Sequence, residues 1–231
     1  MSIREELPAE VKAILATQWQ ARDGVKVPEA EDVRLGNDAV KLSATILYAD
    51  LVDSTELVQA YNASFAAEIY KSFLVCACRI IRDQGGIITA FDGDRVMGVF
   101  IGTVKNTPAA TAALKINYAV RKIINPAVKA QYPTSTYEVK HAVGIDMSDV
   151  LVARTGIRGS NDLVWVGRAA NYAAKLCSLR DGNYSSWITS DVFKQLNSSA
   201  KYGKDQQLMW EERTWTARDL NVYRSSWWWE L

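Results

Sequence analysis

Apolar positions recur at intervals of three and four over residues 4–22. Leu7, Val11, Ile14, Leu15 and Trp19 line one face, which predicts a short amphipathic helix with Pro8 in its first turn. Residues 23–40 are charged and interrupted by Gly24, Pro28 and Gly36. They read as a linker, so residues 1–40 form an N-terminal helix and linker ahead of a domain at 41–231. Residues 42–49 are almost continuously apolar, as in a central strand covered on both faces. Asp53 followed by Glu56 opens a helix that runs to about Asp83. Leu57, Tyr61, Phe65, Ile69, Phe73, Ala77 and Ile80 form its stripe, and Gly85-Gly86 ends it. Two apolar runs, 87–91 and 95–101, flank Asp92-Gly93-Asp94, a hairpin signal.

A second helix is expected at about 108–129, then strands at 136–146, 150–155 and 163–166, and a helix from Gly167 to about Leu179. The tail from about Lys201 carries a further hairpin and ends in Trp227-Trp228-Trp229. The order β-α-β-β-α-β predicts an α+β fold of the ferredoxin-like, split-βαβ kind, with an N-terminal helix and a C-terminal hairpin extension.

Composition narrows the classes. The 231 residues carry 27 basic and 26 acidic side chains, so a basic face for duplex nucleic acid is not expected. The single histidine, His141, excludes a histidine-rich metal site, and it sits in an alternating stretch that suits a structural role. Cys76, Cys78 and Cys177 have no metal-ligand spacing, which points to a reducing cytoplasm. No apolar run is long enough for a membrane helix or a signal core, so a soluble protein is expected.

The candidate chemistry centres on two aspartates. Asp50 ends the first strand, in Ala49-Asp50-Leu51-Val52-Asp53-Ser54-Thr55. Asp94 sits in the hairpin, in Gly93-Asp94-Arg95-Val96-Met97-Gly98-Val99-Phe100. Two neighbouring strands would present the carboxylates side by side, and hard divalent cations prefer such oxygen ligands together with substrate phosphates. A third motif reads Gly167, Asn171, Lys175. Together these resemble class III nucleotidyl cyclase catalytic domains. Bacterial members often show Ala-Asp-Leu-Val-Gly-Ser-Thr, a Gly-Asp hairpin before an apolar strand ending in Phe, and a Gly followed at fourfold spacing by Asn and Arg. The match covers about residues 42–180, with Asp53 replacing a glycine and Lys175 an arginine.

That resemblance implies a homodimer with composite sites and a nucleoside triphosphate substrate. It implies two divalent metal ions, Mg²⁺ or Mn²⁺, on Asp50, Asp94 and the Leu51 carbonyl. It implies a triphosphate cradle of backbone N–H groups at Val52, Asp53, Ser54 and Thr55, with Asn171 orienting the ribose and Lys175 reaching the α-phosphate from the other subunit. A triphosphate-binding arginine is expected among Arg154, Arg158 and Arg168.

The positions where purine cyclases read their base are occupied by Ala90 and Val164, neither of which can hydrogen-bond a purine edge. The bacterial anti-phage Pycsar cyclases, which make cyclic CMP or cyclic UMP, are similar in size and in this non-purine pocket. Tyr48 and Arg95 beside the aspartates are candidates to read a smaller base. An adenylate cyclase with an atypical pocket, or a catalytically silent cyclase-like signalling domain, are the alternative expectations.

Overall fold

The computed structural model describes residues 2–157 and 159–231. In chain order the strands are β1 (Gln20–Asp23), β2 (Asp38–Leu51), β3 (Ile87–Asp92), β4 (Arg95–Phe100), β5 (His141–Ile157), β6 (Ser160–Val166), β7 (Ser186–Thr189), β8 (Glu211–Trp215) and β9 (Leu220–Ser225). The helices are α1 (Ile3–Ala16), α2 (Ser54–Ala60), α3 (Ala63–Asp83), α4 (Asn106–Tyr118), α5 (Asn125–Gln131), α6 (Arg168–Leu176), α7 (Ser190–Lys194) and α8 (Ser198–Lys201).

These elements fall into two compact units. The first joins the residues up to Ser43 with Asp149–Gly167. In it β1 runs parallel to β2, from Gln20 opposite Asp38 to Asp23 opposite Lys41. The hairpin of β5 and β6 pairs Leu151 with Val166 through Ile157 with Ser160. The helix expected over 4–22 therefore stops at Ala16, because residues 20–23 find a strand partner. The apolar stripe of α1 is as expected, yet none of its residues is buried.

The second unit, Ala44–Ser148 with Arg168–Leu231, holds the sheet order β3-β4-β2-β5-β7-β9-β8. The order of its first four strands is that of a split βαβ with the first strand inside, as the α+β, ferredoxin-like expectation requires. Alternation along β2 sorts its side chains. Leu47, Ala49 and Leu51 enter the main core with Phe73 of α3 and Leu114 of α4, so Tyr48 and Asp50 face the other side of the sheet. On that side α6 seats on β5. A Cβ at Gly144 would overlap Ala173 O and Cys177 N, and Cys177 Sγ lies 3.2 Å from Ala142 O.

Three expected boundaries shift. The helix expected over 53–83 is broken at Tyr61-Asn62, where the Asn62 side chain accepts from Phe65 N at 2.9 Å and caps α3. The long helix expected at 108–129 contains a π-helical turn, Ala119–Ile124, between α4 and α5. The strands expected at 136–146 and 150–155 are one strand, β5, which starts later, at His141. The tryptophan tail completes the unit: Trp227 and Trp229 pack on the main core, and Asn117 Nδ2 donates to Ser226 O at 3.0 Å and Trp227 O at 2.8 Å.

Candidate active site

The β2, β3 and β4 strands build the floor. Tyr48 pairs with Met97, and Met97 with Ala90, so these three side chains form one row across the sheet. The pairing of Ala49 with Val96 brings Asp50 level with the start of β4, where Arg95 pairs with Asp92. Only Gly93 and Asp94 separate the β3 and β4 pairing, and Gly93 adopts φ +62°. A first loop residue with positive φ is what a two-residue hairpin with glycine there requires, and it leaves Asp94 at the tip.

The electrostatics match that geometry. The Asp50 carboxyl is pushed up to about 6, first by burial and then by the negative charge of Asp94; Arg95 and Arg180 pull it back. Asp94 Oδ2 is buried and has no hydrogen-bond partner. Two oxygens that repel one another, one of them unsatisfied, suit divalent cations. Among the described residues no group of three or more His, Cys, Asp or Glu side chains could hold a metal. Cations bound here would therefore complete their shell with the Leu51 carbonyl, water and substrate phosphates.

Arg95 lies above the Tyr48 ring, 5.3 Å from its centroid, and its Nη2 donates to Asp92 Oδ2 at 2.6 Å. Its Nε is buried and unpartnered. Burial raises the Tyr48 phenol, and the Arg95 charge opposes the rise.

Asp53 takes the left-handed conformation, φ +59° and ψ 35°, at the start of α2. The glycine of the family motif would take it without strain, which accounts for that glycine; aspartate tolerates it better than most residues. The Val52 N–H already donates to Lys140 O at 2.9 Å. An anion here would meet the amides of Asp53, Ser54 and Thr55, so the expected cradle loses its first member. An open cavity of about 400 Å³ adjoins Val52 and Asp53, with Arg121, Lys140, His141 and Arg180 among its walls. Near the same end Tyr137, whose hydroxyl is buried and unpartnered, feels the charges of Asp53 and Asp94. Burial, the largest cause, pushes its phenol up to about 12, so it remains a donor.

Asn171 and Lys175 lie one turn apart on the exposed face of α6, an element separate from the aspartate pair. Arg168, expected among the substrate-binding arginines, is committed elsewhere. Its Nε donates to the buried Asp146 at 3.1 Å, and its Nη2 to Asp191 Oδ2 at 2.7 Å and Met147 O at 2.8 Å. It clamps α6 to β5 and α7. Arg154 donates to Asn161 Oδ1 at 2.6 Å within the first unit, where Val164 also stands, exposed on β6. Arg158 lies outside the described residues. Arg180 and Tyr137 escaped sequence reading. One follows a helix as an ordinary end-capping cation, the other precedes a strand among aromatic residues, and neither context signals a site.

No protein-family model matches the chain. The uridylate cyclase of Xanthomonas perforans is 48% identical over 100% of both chains. That of Burkholderia cepacia is 46% identical, also over 100% of both. That of a Rhodovulum species is 41% identical over 99% of this chain and 98% of its own. Among solved structures, the adenylyl cyclase CyaB from P. aeruginosa superposes with a TM-score of 0.63 at 21% identity, covering 81% of this chain and 95% of that one. The guanylyl cyclase Cya2 gives 0.67 at 17% identity, covering 82% and 94%. The chain belongs to the family of the uridylate cyclases, built on the class III nucleotidyl cyclase catalytic fold.

Proposed function

We propose that the protein converts UTP to 3′,5′-cyclic UMP and pyrophosphate. The observation that carries the reading is the buried, unpartnered Asp94 oxygen beside Asp50. The names of the full-length relatives supply the base. The 3′-hydroxyl oxygen attacks the α-phosphorus in line, the bond to the pyrophosphate oxygen breaks, and the hydroxyl proton is released. Two divalent ions held by Asp50, Asp94 and the Leu51 carbonyl would lower the pKa of that hydroxyl and offset charge on the leaving group. The amides of Asp53, Ser54 and Thr55 receive the triphosphate.

Asn171 and Lys175, exposed on α6, serve the site of a second copy, where Asn171 orients the ribose and Lys175 meets the α-phosphate. Lysine gives a point charge where arginine would give a fork.

Arg95 and Tyr48 read the base. Arg95 has donors only, and its unpartnered Nε suits a carbonyl oxygen of uracil. Ala90 in the same row leaves no side chain to pair with a purine edge.

The reading extends to a cytoplasmic signal in anti-phage defence. Three free cysteines suit a reducing compartment, and among the described residues no helix is long and apolar enough to cross a membrane.

The test is to incubate the protein with ATP, GTP, CTP and UTP in turn, with Mn²⁺, and identify products by mass. Cyclic UMP from UTP is the expected product; cyclic AMP alone would replace this reading with an adenylate cyclase. In Arg95→Ala the preference for UTP over the other nucleotides should fall about tenfold or more. An unchanged preference removes Arg95 from base reading.

A further inference from the structure

The face that α6 turns to the sheet is nearly smooth. Its buried residues are Ala169, Ala170, Ala173 and Leu176, so three of the four offer a single methyl group. They close onto β5 at Gly144, which has no side chain to key against them. Packed cores fix position by interdigitating large and small side chains, and methyls over a glycine supply little of that. The setting of α6 along and around its axis therefore falls to polar contacts.

Those contacts gather at its first residue. A cation in the first turn opposes the helix dipole, so helix formation does not account for Arg168. The β5 and β7 strands run parallel with Ile145 opposite Ile188, which sets Asp146 beside Thr189. Thr189 Oγ1 donates to Asp146 Oδ1 at 2.6 Å, and Arg168 Nε to Asp146 Oδ2 at 3.1 Å. Asp146 is fully buried, and a buried carboxylate needs a paired cation. Arg168 Nη2 reaches Asp191 Oδ2 of α7 at 2.7 Å and Met147 O at 2.8 Å. The guanidinium carbon stands 5.8 Å from the centre of the Tyr172 ring, one turn further on. Next to it, Ala169 N donates to Ser148 Oγ at 2.9 Å. A rigid fork seated on both β5 and α7 fixes the helix start in rotation and in height; a flexible ammonium would not. Arg168, Asn171 and Lys175 follow one another at three and four residues, along one stripe of α6.

We propose that Arg168, seated on Asp146 and Asp191, is a positioning residue: it sets α6 so that Asn171 and Lys175 meet the substrate in the site of a second copy. This rests on the shared-site reading above and adds to it a side chain that touches no substrate. A misplacement of about 1 Å can cost up to about a hundredfold in rate. Affinity should change little, because the amides and aspartates that hold the triphosphate belong to the other chain.

The experiment measures kcat and KM for UTP with Mn²⁺ in Arg168→Lys and Asp146→Asn, with the melting temperature of each. Lysine keeps the charge against Asp146 and loses the fork; asparagine keeps the shape and loses the charge. Both should lower kcat by about tenfold or more while KM moves by less than about twofold. Mixing locates the defect. With Asp94→Asn in excess, turnover per Arg168→Lys chain should climb toward the wild-type value per site, because the aspartates of that chain then meet an intact α6. With Asn171→Ala in excess it should stay low.

A kcat like that of wild type in either folded variant overturns the proposal. So does a raised KM with kcat unchanged, which would put Arg168 on the substrate. Equal recovery with Asp94→Asn and with Asn171→Ala overturns it as well, since a general loss of stability has no preferred partner. Should neither variant fold, Asp191→Ala, at the half-exposed end of the clamp, is read in the same way. If Asp94→Asn and Asn171→Ala recover nothing from each other, the shared-site reading fails and the split between kcat and KM decides on the clamp by itself. A wild type that forms no cyclic UMP removes the cyclase reading and this role together.

Discussion

Asp94 is held at a hairpin tip by Gly93 and has one oxygen with nothing to bond. That combination makes it costly for the fold and useful for a cation. Asp94→Asn should lower turnover by about a thousandfold or more, since metal stabilisation of this kind is worth several kcal/mol. The same change relieves the repulsion that raises Asp50, so the metal-free protein should melt no lower than wild type. A large drop in melting temperature would mean that Asp94 is structural. Asp53 offers the opposite case. Its φ of +59° costs a residue with a side chain about 1 kcal/mol relative to glycine, so Asp53→Gly should raise the melting temperature by a few degrees. Its backbone amide is retained, and activity should survive. The two aspartates were legible in the sequence because each interrupts an apolar strand with a charge at a turn. The role of Arg168 was not. A buried acid, Asp146, captures it from 22 residues away, and sequence spacing does not reveal such long-range pairing.

Among the elements, the strand-helix alternation was legible because the patterns differ plainly, a short unbroken apolar run in β4 and a stripe near 3.6 residues in α3. What sequence could not fix were the interruptions. The break at Asn62 depends on a cap, the π-helical turn on packing, and the unbroken β5 on partners along its whole length. That strand begins at His141, which is buried against Phe73, with ring centroids 6.0 Å apart. Burial first, and then the charge of Arg121, hold its imidazole down at about 3 against an ordinary 6.5. In the unfolded chain it takes up a proton below 6.5; in the folded chain it does not until about 3. Stability from this residue is therefore complete above pH 6.5 and is lost as pH falls, by up to about 1.4 kcal/mol per pH unit. Asp50 works in the other direction, because its raised carboxyl binds a proton more readily in the fold and so favours the folded state as pH falls through about 6. Urea midpoints between pH 7.5 and 4.5 should fall less steeply in His141→Phe than in wild type. Parallel slopes would show that the histidine does not stay neutral.

At the scale of the whole molecule, the sequence divides simply at residue 40, whereas the structure joins the N-terminal residues to the β5–β6 hairpin, which lies more than a hundred residues further along. Such a pairing between distant segments leaves no local trace. Asn171 and Lys175 lie exposed on α6, an element other than those that carry the aspartates, as the proposed sites shared between two copies require. Mixing an Asp94→Asn protein with an Asn171→Ala protein, each inactive alone, should then restore part of the wild-type turnover, since one of the two sites in a mixed dimer is intact. No recovery at any mixing ratio would argue for sites completed within one chain.

The docked tail has a practical consequence. Trp228 lies against Tyr118, with ring centroids 5.5 Å apart, and Lys122 Nζ sits 5.2 Å from its ring, next to the π-helical turn. The indole is 37% exposed, so water and solutes reach it. The protein thus carries an intrinsic fluorophore on its docked tail, against the helical segment that also leads to Arg121 and the cavity. Comparing the emission of wild type with that of Trp228→Phe isolates this indole from the other seven, and its quenching by iodide follows the seating of the tail without any attached label.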